Sequence, residues 1–182
     1  MIRNCVLNGG WGFVALGSSD NIRIENCVII RVDITTIGLS RVDNLSIRNS
    51  VITDNLAKKS TQPLVQRSHS PANNLFFLRT TEHERSVFGQ DGPTVADDNR
   101  EADVEPPNLV GDPRFVVSLT EPASGDAEET TADGGWFNDS LMREVHDFPD
   151  VFVTDPVLIE RGIGLIPSEF ADFQFDGAAV AE

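Results

Sequence analysis

The chain has no tyrosine, only two cysteines, three histidines and two tryptophans, and no apolar run approaching the ~20 residues of a membrane-spanning helix. Two cysteines without C-x-x-C spacing exclude a cysteine-built zinc site. The 182 residues fit one domain, or one domain with an extension, and 40% hydrophobic residues suffice for a core. Cations are scarce in the second half only. Residues 1–85 carry ten Lys/Arg against seven Asp/Glu, a net of +3, whereas residues 86–182 carry four against twenty-two, a net of −18. That imbalance argues against nucleic acid as a partner, because phosphate binding needs clustered cations. With no long apolar run, no membrane partner is expected, and the chain is expected to be a monomer. The acidic half reads first as a solubility device.

What is present is a repeat. Ile2-Arg3-Asn4-Cys5-Val6-Leu7 returns as Ile24-Glu25-Asn26-Cys27-Val28-Ile29 and again as Ile47-Arg48-Asn49-Ser50-Val51-Ile52, with the asparagines 22 and then 23 positions apart. Asn74-Leu75-Phe76-Phe77, 25 residues further on, reads as a weaker fourth copy. Within a copy the period is two, as in Asn21-Ile22-Arg23-Ile24-Glu25-Asn26, which marks short strands with one buried face. Strands this short bury that face only by stacking at the ~4.8 Å strand spacing. Stacking predicts three interior columns: Ile2, Ile24 and Ile47; Val6, Val28, Val51 and Phe76; and Ile22 over Leu45. Outside, Arg3, Glu25 and Arg48 form a column of alternating charge that favours this register. Asn4, Asn26, Asn49 and Asn74 fall at turns, where asparagine tolerates left-handed backbone and its amide can bond along a ladder.

On these Ile-x-Asn-(Cys/Ser)-Val-(Leu/Ile) runs the chain resembles the right-handed parallel β-helix, or pectin-lyase-like, superfamily over roughly residues 2–80. Asn108-Leu109-Val110-Gly111-Asp112-Pro113-Arg114-Phe115 after the last copy is similar to what many bacterial β-helix proteins carry. The implied architecture is all-β: about 3–4 coils of parallel β-helix over residues 1–85, then an irregular acidic C-terminal cap over residues 86–182. The resemblance implies a carbohydrate-active or carbohydrate-binding protein whose partner is an anionic polysaccharide. The alternatives are a non-catalytic binding or structural surface protein, or a truncated remnant. Whether the chain is an enzyme stays open; polysaccharide lyase and glycoside hydrolase are the two candidate activities. The N-terminus, Met1-Ile2-Arg3-Asn4-Cys5-Val6, has no apolar signal-peptide core. The first copy looks cut in half, so the expectation is a C-terminal portion of a parent protein that is extracellular or periplasmic.

In the acidic region, Asp97 to Glu105 is predicted to be exposed and residues 120–135 to be a loop or disordered insert. A short helix is expected around Asn138–Val145. Val151-Phe152-Val153 and Val157-Leu158-Ile159 are candidate strands or apolar clamps, and Ile163 to Pro167 with Phe170, Phe173 and Phe175 are suited to packing against the repeats.

The candidate catalytic residues are Lys59, Arg67 and His69, with Lys58 beside them, between the third and fourth copies. A uronate lyase must neutralise a carboxylate next to the carbon losing its proton and must supply a base; Lys and Arg suit both roles, and His serves as acid or base. The plainer reading of this segment is a solvated basic loop. A hydrolase needs paired carboxylates, and Asp20 and Asp43 align on adjacent copies, although turn formation explains them equally; Asp33 and Asp54 have no evident partner. Cys5 and Cys27 share one repeat position, which leaves open either a disulfide or a reduced stack continued by Ser50. His83 reads as part of a charged loop. No cofactor is expected. Calcium is left unassigned, because Asp91 and Asp97-Asp98 follow no calcium-loop pattern. Trp11 and Trp136 could stack on sugars or simply pack.

Overall fold

The computed structural model describes residues 1–8, 13–14, 19–30, 37–38, 42–53, 65, 70–77, 87–89, 92–116 and 148–170. Thirteen short strands, all paired in parallel, dominate the described residues. One sheet stacks β1 (Ile2–Arg3), β5 (Arg23–Glu25), β9 (Ser46–Arg48) and β11 (Pro71–Ala72). The second stacks β2 (Val6–Asn8), β6 (Val28–Ile30), β10 (Val51–Thr53), β12 (Leu75–Phe77) and β13 (Leu109–Val110). Two further pairs join β3 (Phe13–Val14) to β7 (Ile37–Gly38), and β4 (Ser19–Asp20) to β8 (Val42–Asp43). The register follows the repeat: Ile2 on Ile24 on Ile47, and Val6 on Val28 on Val51.

Between each strand of the first sheet and the next strand of the second, the chain turns at an asparagine in left-handed backbone. Asn4, Asn26 and Asn49 have φ of 55°, 50° and 53°, as the repeat predicted. The fourth turn residue is Asn73 (φ 53°), not Asn74. Pairing of Val51 with Leu75 and of Ile47 with Pro71 fixes the fourth copy one residue earlier than the Asn74 alignment placed it.

That residue matters, because a slip of one exchanges the faces of a strand. Between the two sheets lie Ile24, Ile29, Leu45, Ile47, Ile52 and Phe76, with Ile2, Ile22, Cys5 and Leu7 packed against them. The second interior column is therefore Leu7, Ile29, Ile52 and Phe76. The Val6, Val28, Val51 column, continued by Leu75, points out of the other face of the second sheet. Counting by two from Ile24 to Val28 fails because the left-handed turn at Asn26 resets the alternation. The columns of Ile2, Ile24 and Ile47 and of Ile22 and Leu45 stand as expected.

The outward valines are covered by the C-terminal segment. Phe115, Val151, Phe152, Val153, Leu158, Ile163, Leu165 and Phe170 form one buried cluster with Val28, Ile30, Val51 and Leu75. Full burial of such a side chain contributes roughly 1.5–3 kcal/mol. Val153 lies between Phe115 and the segment at Leu165, held by the Val153 N–H donating to Leu165 O at 2.9 Å. Val157-Leu158-Ile159 is helical rather than extended: α2 (Pro156–Glu160) starts with Asp155 accepting from the Val157 N–H at 2.8 Å and proline in its first turn. A capping carboxylate before proline outweighs the β preference of Val and Ile. Leu158 is the helix's buried residue; Val157 and Ile159 face solvent.

The acidic stretch from Asp97 is likewise partly helical. α1 (Val95–Glu101) is capped by Thr94, whose Oγ accepts from the Asp97 N–H, and it buries Val95 and Asp98, so the expectation of full exposure fails at Asp98. Asn99 holds the fifth strand of the second sheet in place: its amide donates to Asn108 O at 2.8 Å and its Oδ1 accepts from the Asn108 N–H at 2.9 Å. Residues 120–135, the segment around Asn138–Val145, Phe173 and Phe175 lie outside the described residues.

A buried side-chain ladder joins the copies at the corner after each turn asparagine. The Cys27 N–H donates to Ser50 Oγ (3.2 Å), the Ser50 N–H to Asn74 Oδ1 (3.0 Å) and the Asn74 N–H to Asn108 Oδ1 (3.1 Å). Each side chain also donates to a carbonyl of the first-sheet strand of its own or the preceding copy: Ser50 Oγ to Arg48 O at 2.8 Å, Asn74 Nδ2 to Ile47 O at 2.9 Å, and Asn108 Nδ2 to Pro71 O at 2.9 Å. Replacing Asn74 with alanine strands the buried Ser50 N–H and Ile47 carbonyl, and a buried unsatisfied group costs about 1–3 kcal/mol. Asn74→Ala is expected to lower unfolding free energy by about 2–4 kcal/mol in urea titration; a change under about 0.5 kcal/mol would show the ladder to be dispensable.

Candidate functional site

The outer face of the first sheet is its polar face. Alternation inside β5 and β9 turns Ile24 and Ile47 inward and presents Arg23, Glu25, Ser46 and Arg48 outward. The register lays these out in columns: Arg3, Glu25, Arg48 and then Ala72, beside Arg23 and Ser46. A third column runs along the rim, where Asn21 and Asn44 take left-handed turns and the Asn44 amide donates to Asn21 Oδ1 at 3.3 Å.

Arg23, Glu25, Ser46 and Arg48, with Asn21, Asn44 and Ser70, line an open hollow of about 460 Å³, and Arg3 stands next to Glu25 in the register, outside that lining. A second hollow of about 380 Å³ begins at the same Arg48 and Ser70 and runs past Ala72 to Asp98, Asp103 and Glu105. Together they make one trough along the stacking direction, basic over the first copies and acidic where the turn after α1 borders it. Arg3, Arg23 and Arg48 are exposed and Glu25 half-buried. Among the described residues none of these four side chains makes a hydrogen bond or ion pair, in contrast to Arg100, which pairs with Asp97 at 2.6 Å, and Arg161, whose guanidinium donates to Asn73 Oδ1 and Pro107 O. Three uncommitted guanidinium groups on one paired sheet are free to bind carboxylates bidentately.

Lys59, Arg67 and His69, with Lys58, lie outside the described residues, as do Asp33, Asp54, His83, Asp91, Trp11 and Trp136. Asp20 and Asp43 do align, as register partners on β4 and β8, with backbone positions alone described. Asp97 is engaged locally: hydrogen bonds from Thr94 and Arg100 hold its carboxyl below the usual range. No group of three or more His, Cys, Asp or Glu gathers among the described residues in a way that could hold a metal ion, and no helix among them is long and apolar enough to cross a membrane. The Arg3–Glu25–Arg48 column was visible in the repeat, where it signified register. The place of Glu25 and Arg48 in a trough depends on Ser70 and the α1 turn arriving beside them, which no local pattern announces.

The two cysteines are free thiols. Each Sγ–H donates to the carbonyl two residues back, Cys5 to Arg3 O and Cys27 to Glu25 O, both at 3.2 Å, as Ser50 does at the equivalent place. They belong to the corner ladder rather than to a reactive site.

No family model matches the chain, and neither does any curated protein or solved structure with which it was compared.

Burial pushes the Cys27 thiol up from its ordinary 9.0 to about 11. The folded chain therefore holds this proton more tightly than the unfolded one. The resulting stabilisation is complete below pH 9 and is lost as pH rises towards 11. With no tyrosine to titrate in that window, unfolding free energy is expected to fall by on the order of 1–2 kcal/mol between pH 9 and 11. Cys27→Ser, which copies Ser50, should flatten the decline; equal slopes in both proteins would refute the assignment.

Proposed function

We propose that this chain is a right-handed parallel β-helix protein of the pectin-lyase-like kind that binds an anionic polysaccharide along the trough on its first sheet. The observation that carries the reading is the set of three exposed, uncommitted arginines, Arg3, Arg23 and Arg48, on one polar sheet face. Coiling is supported by the strand order: each strand of the first sheet is followed in the chain by a strand of the second, copy after copy, and equivalent strands pair in parallel. An extended glycan suits such a face, since it offers a negative charge at regular intervals and hydroxyls for Ser46, Ser70, Asn21 and Asn44. A protein acting on such polymers works outside the cytoplasm, in the periplasm or beyond. Elimination or hydrolysis would need groups beyond this face, with Lys59, Arg67 and His69 as the candidates.

Affinity electrophoresis through gels containing polymannuronate, pectate or a glycosaminoglycan tests the reading. At least one polymer should retard the protein at low salt, and retardation should weaken as salt screens the contact. Arg48→Ala and Arg23→Ala should each weaken binding by about 3–10-fold, while Arg100→Ala on α1 leaves it unchanged. Retardation by none of the polymers, or equal loss in all three variants, would defeat it. Appearance of an ultraviolet-absorbing unsaturated product during incubation would add lyase activity to binding.

A further inference from the structure

The alternation of charge across this sheet face bears on which acidic glycan fits. Arg3, Glu25 and Arg48 are register partners on β1, β5 and β9, so they succeed one another at the strand spacing of ~4.8 Å, and the two arginines stand two spacings apart. Glu25 is hemmed by three arginines, Arg3 and Arg48 across the sheet and Arg23 two residues along its own strand, yet it pairs with none of them. Its carboxylate therefore faces the trough as a negative group between two positive ones.

An extended pyranose polymer advances by roughly one strand spacing per sugar ring, so a chain lying along this column sets consecutive sugars against consecutive strands. A uronate opposite Arg3 and the next but one opposite Arg48 each meet a guanidinium that can take the carboxylate bidentately. The sugar between them meets Glu25. If that sugar is neutral, its hydroxyls can donate to the carboxylate; if it is a uronate, two like charges are forced together, which is the usual way an interface rejects a near-match. Beyond Arg48 the column continues as Ala72, and Asp103 and Glu105 border the trough, so among the described residues Arg48 is the last basic anchor in that direction.

We propose that this face selects glycans carrying a carboxylate on every second sugar, a uronate alternating with a neutral sugar, over homopolymers of uronic acid. Glu25 is the discriminating residue. The inference rests on the polysaccharide-binding reading above and assigns its substrate class.

Titration calorimetry of the full chain with two octasaccharides, one from hyaluronan and one from polymannuronate, tests it. The alternating glycan should bind about fivefold or more tightly than the homopolymer. Glu25→Gln should raise affinity for the homopolymer about fivefold and change that for the alternating glycan less than about twofold, with an unaltered circular dichroism spectrum. Preference for the homopolymer, or an equal gain for both ligands on Glu25→Gln, would overturn the selectivity while leaving polysaccharide binding intact. Absence of binding by either ligand would overturn the polysaccharide reading and the selectivity with it.

Discussion

Every repeat of this structure depends on how the corner between its two sheets is satisfied. A chain that turns sharply inside a core leaves a backbone N–H and a carbonyl with nowhere to go, and leaving them unpaired is costly. Here the residue after each turn asparagine, Cys5, Cys27, Ser50 or Asn74, lends its side chain to the problem, and Asn108, after Pro107, does the same for the last copy. From Ser50 onward it accepts from the N–H of the copy before and donates to a first-sheet carbonyl. Thiol, hydroxyl and amide are interchangeable to the extent that each is small and can donate.

The turn asparagines themselves look outward and serve a second purpose. Asn26 donates to Gly162 O at 3.0 Å, Asn49 O accepts from the Gly164 N–H at 2.8 Å, and Asn73 exchanges bonds with Arg161 through both its amide and its Oδ1. Neighbouring residues of one corner thus lock the repeats together inside and dock the C-terminal segment outside. Gly164 is required at that seam: its φ is +84°, and a Cβ there would come within 2.6 Å of Val153 Cγ2 and 3.0 Å of Val51 Cγ2. The apolar face of the second sheet is consumed by this docking, which among the described residues leaves the polar face of the first sheet open to a ligand.

Stacking also determines what that surface can recognise. A single strand with Arg23 and Glu25 is an ordinary amphipathic strand. Repetition at a constant spacing converts it into a ruler whose charges recur at the scale of a sugar polymer, and parallel register keeps the columns straight. The trough acquires its far wall only because α1, capped by Thr94 and clamped to Asn108 by Asn99, carries Asp98, Asp103 and Glu105 to its edge.

The repeat by itself determined the parallel pairing, the in-register columns of isoleucine, the left-handed asparagine turns and the alternating charges of Arg3, Glu25 and Arg48. All of these follow from local rules, the period of two and the steric tolerance of asparagine, that act within a few residues. Tertiary structure alone decided the rest. Asn74 could not be told from Asn73 as the turn residue until Leu75 paired with Val51, because two adjacent asparagines satisfy the same local preference. The valine column could not be assigned to its face, since parity restarts at a left-handed turn and only the packing of residues 151–170 reveals which side needs covering. Val157 to Ile159 became helical through the cap at Asp155 and the burial of Leu158. Nor could any strand announce a trough, which exists only where copies 22 to 24 residues apart and a helix from beyond the repeat meet at Arg48.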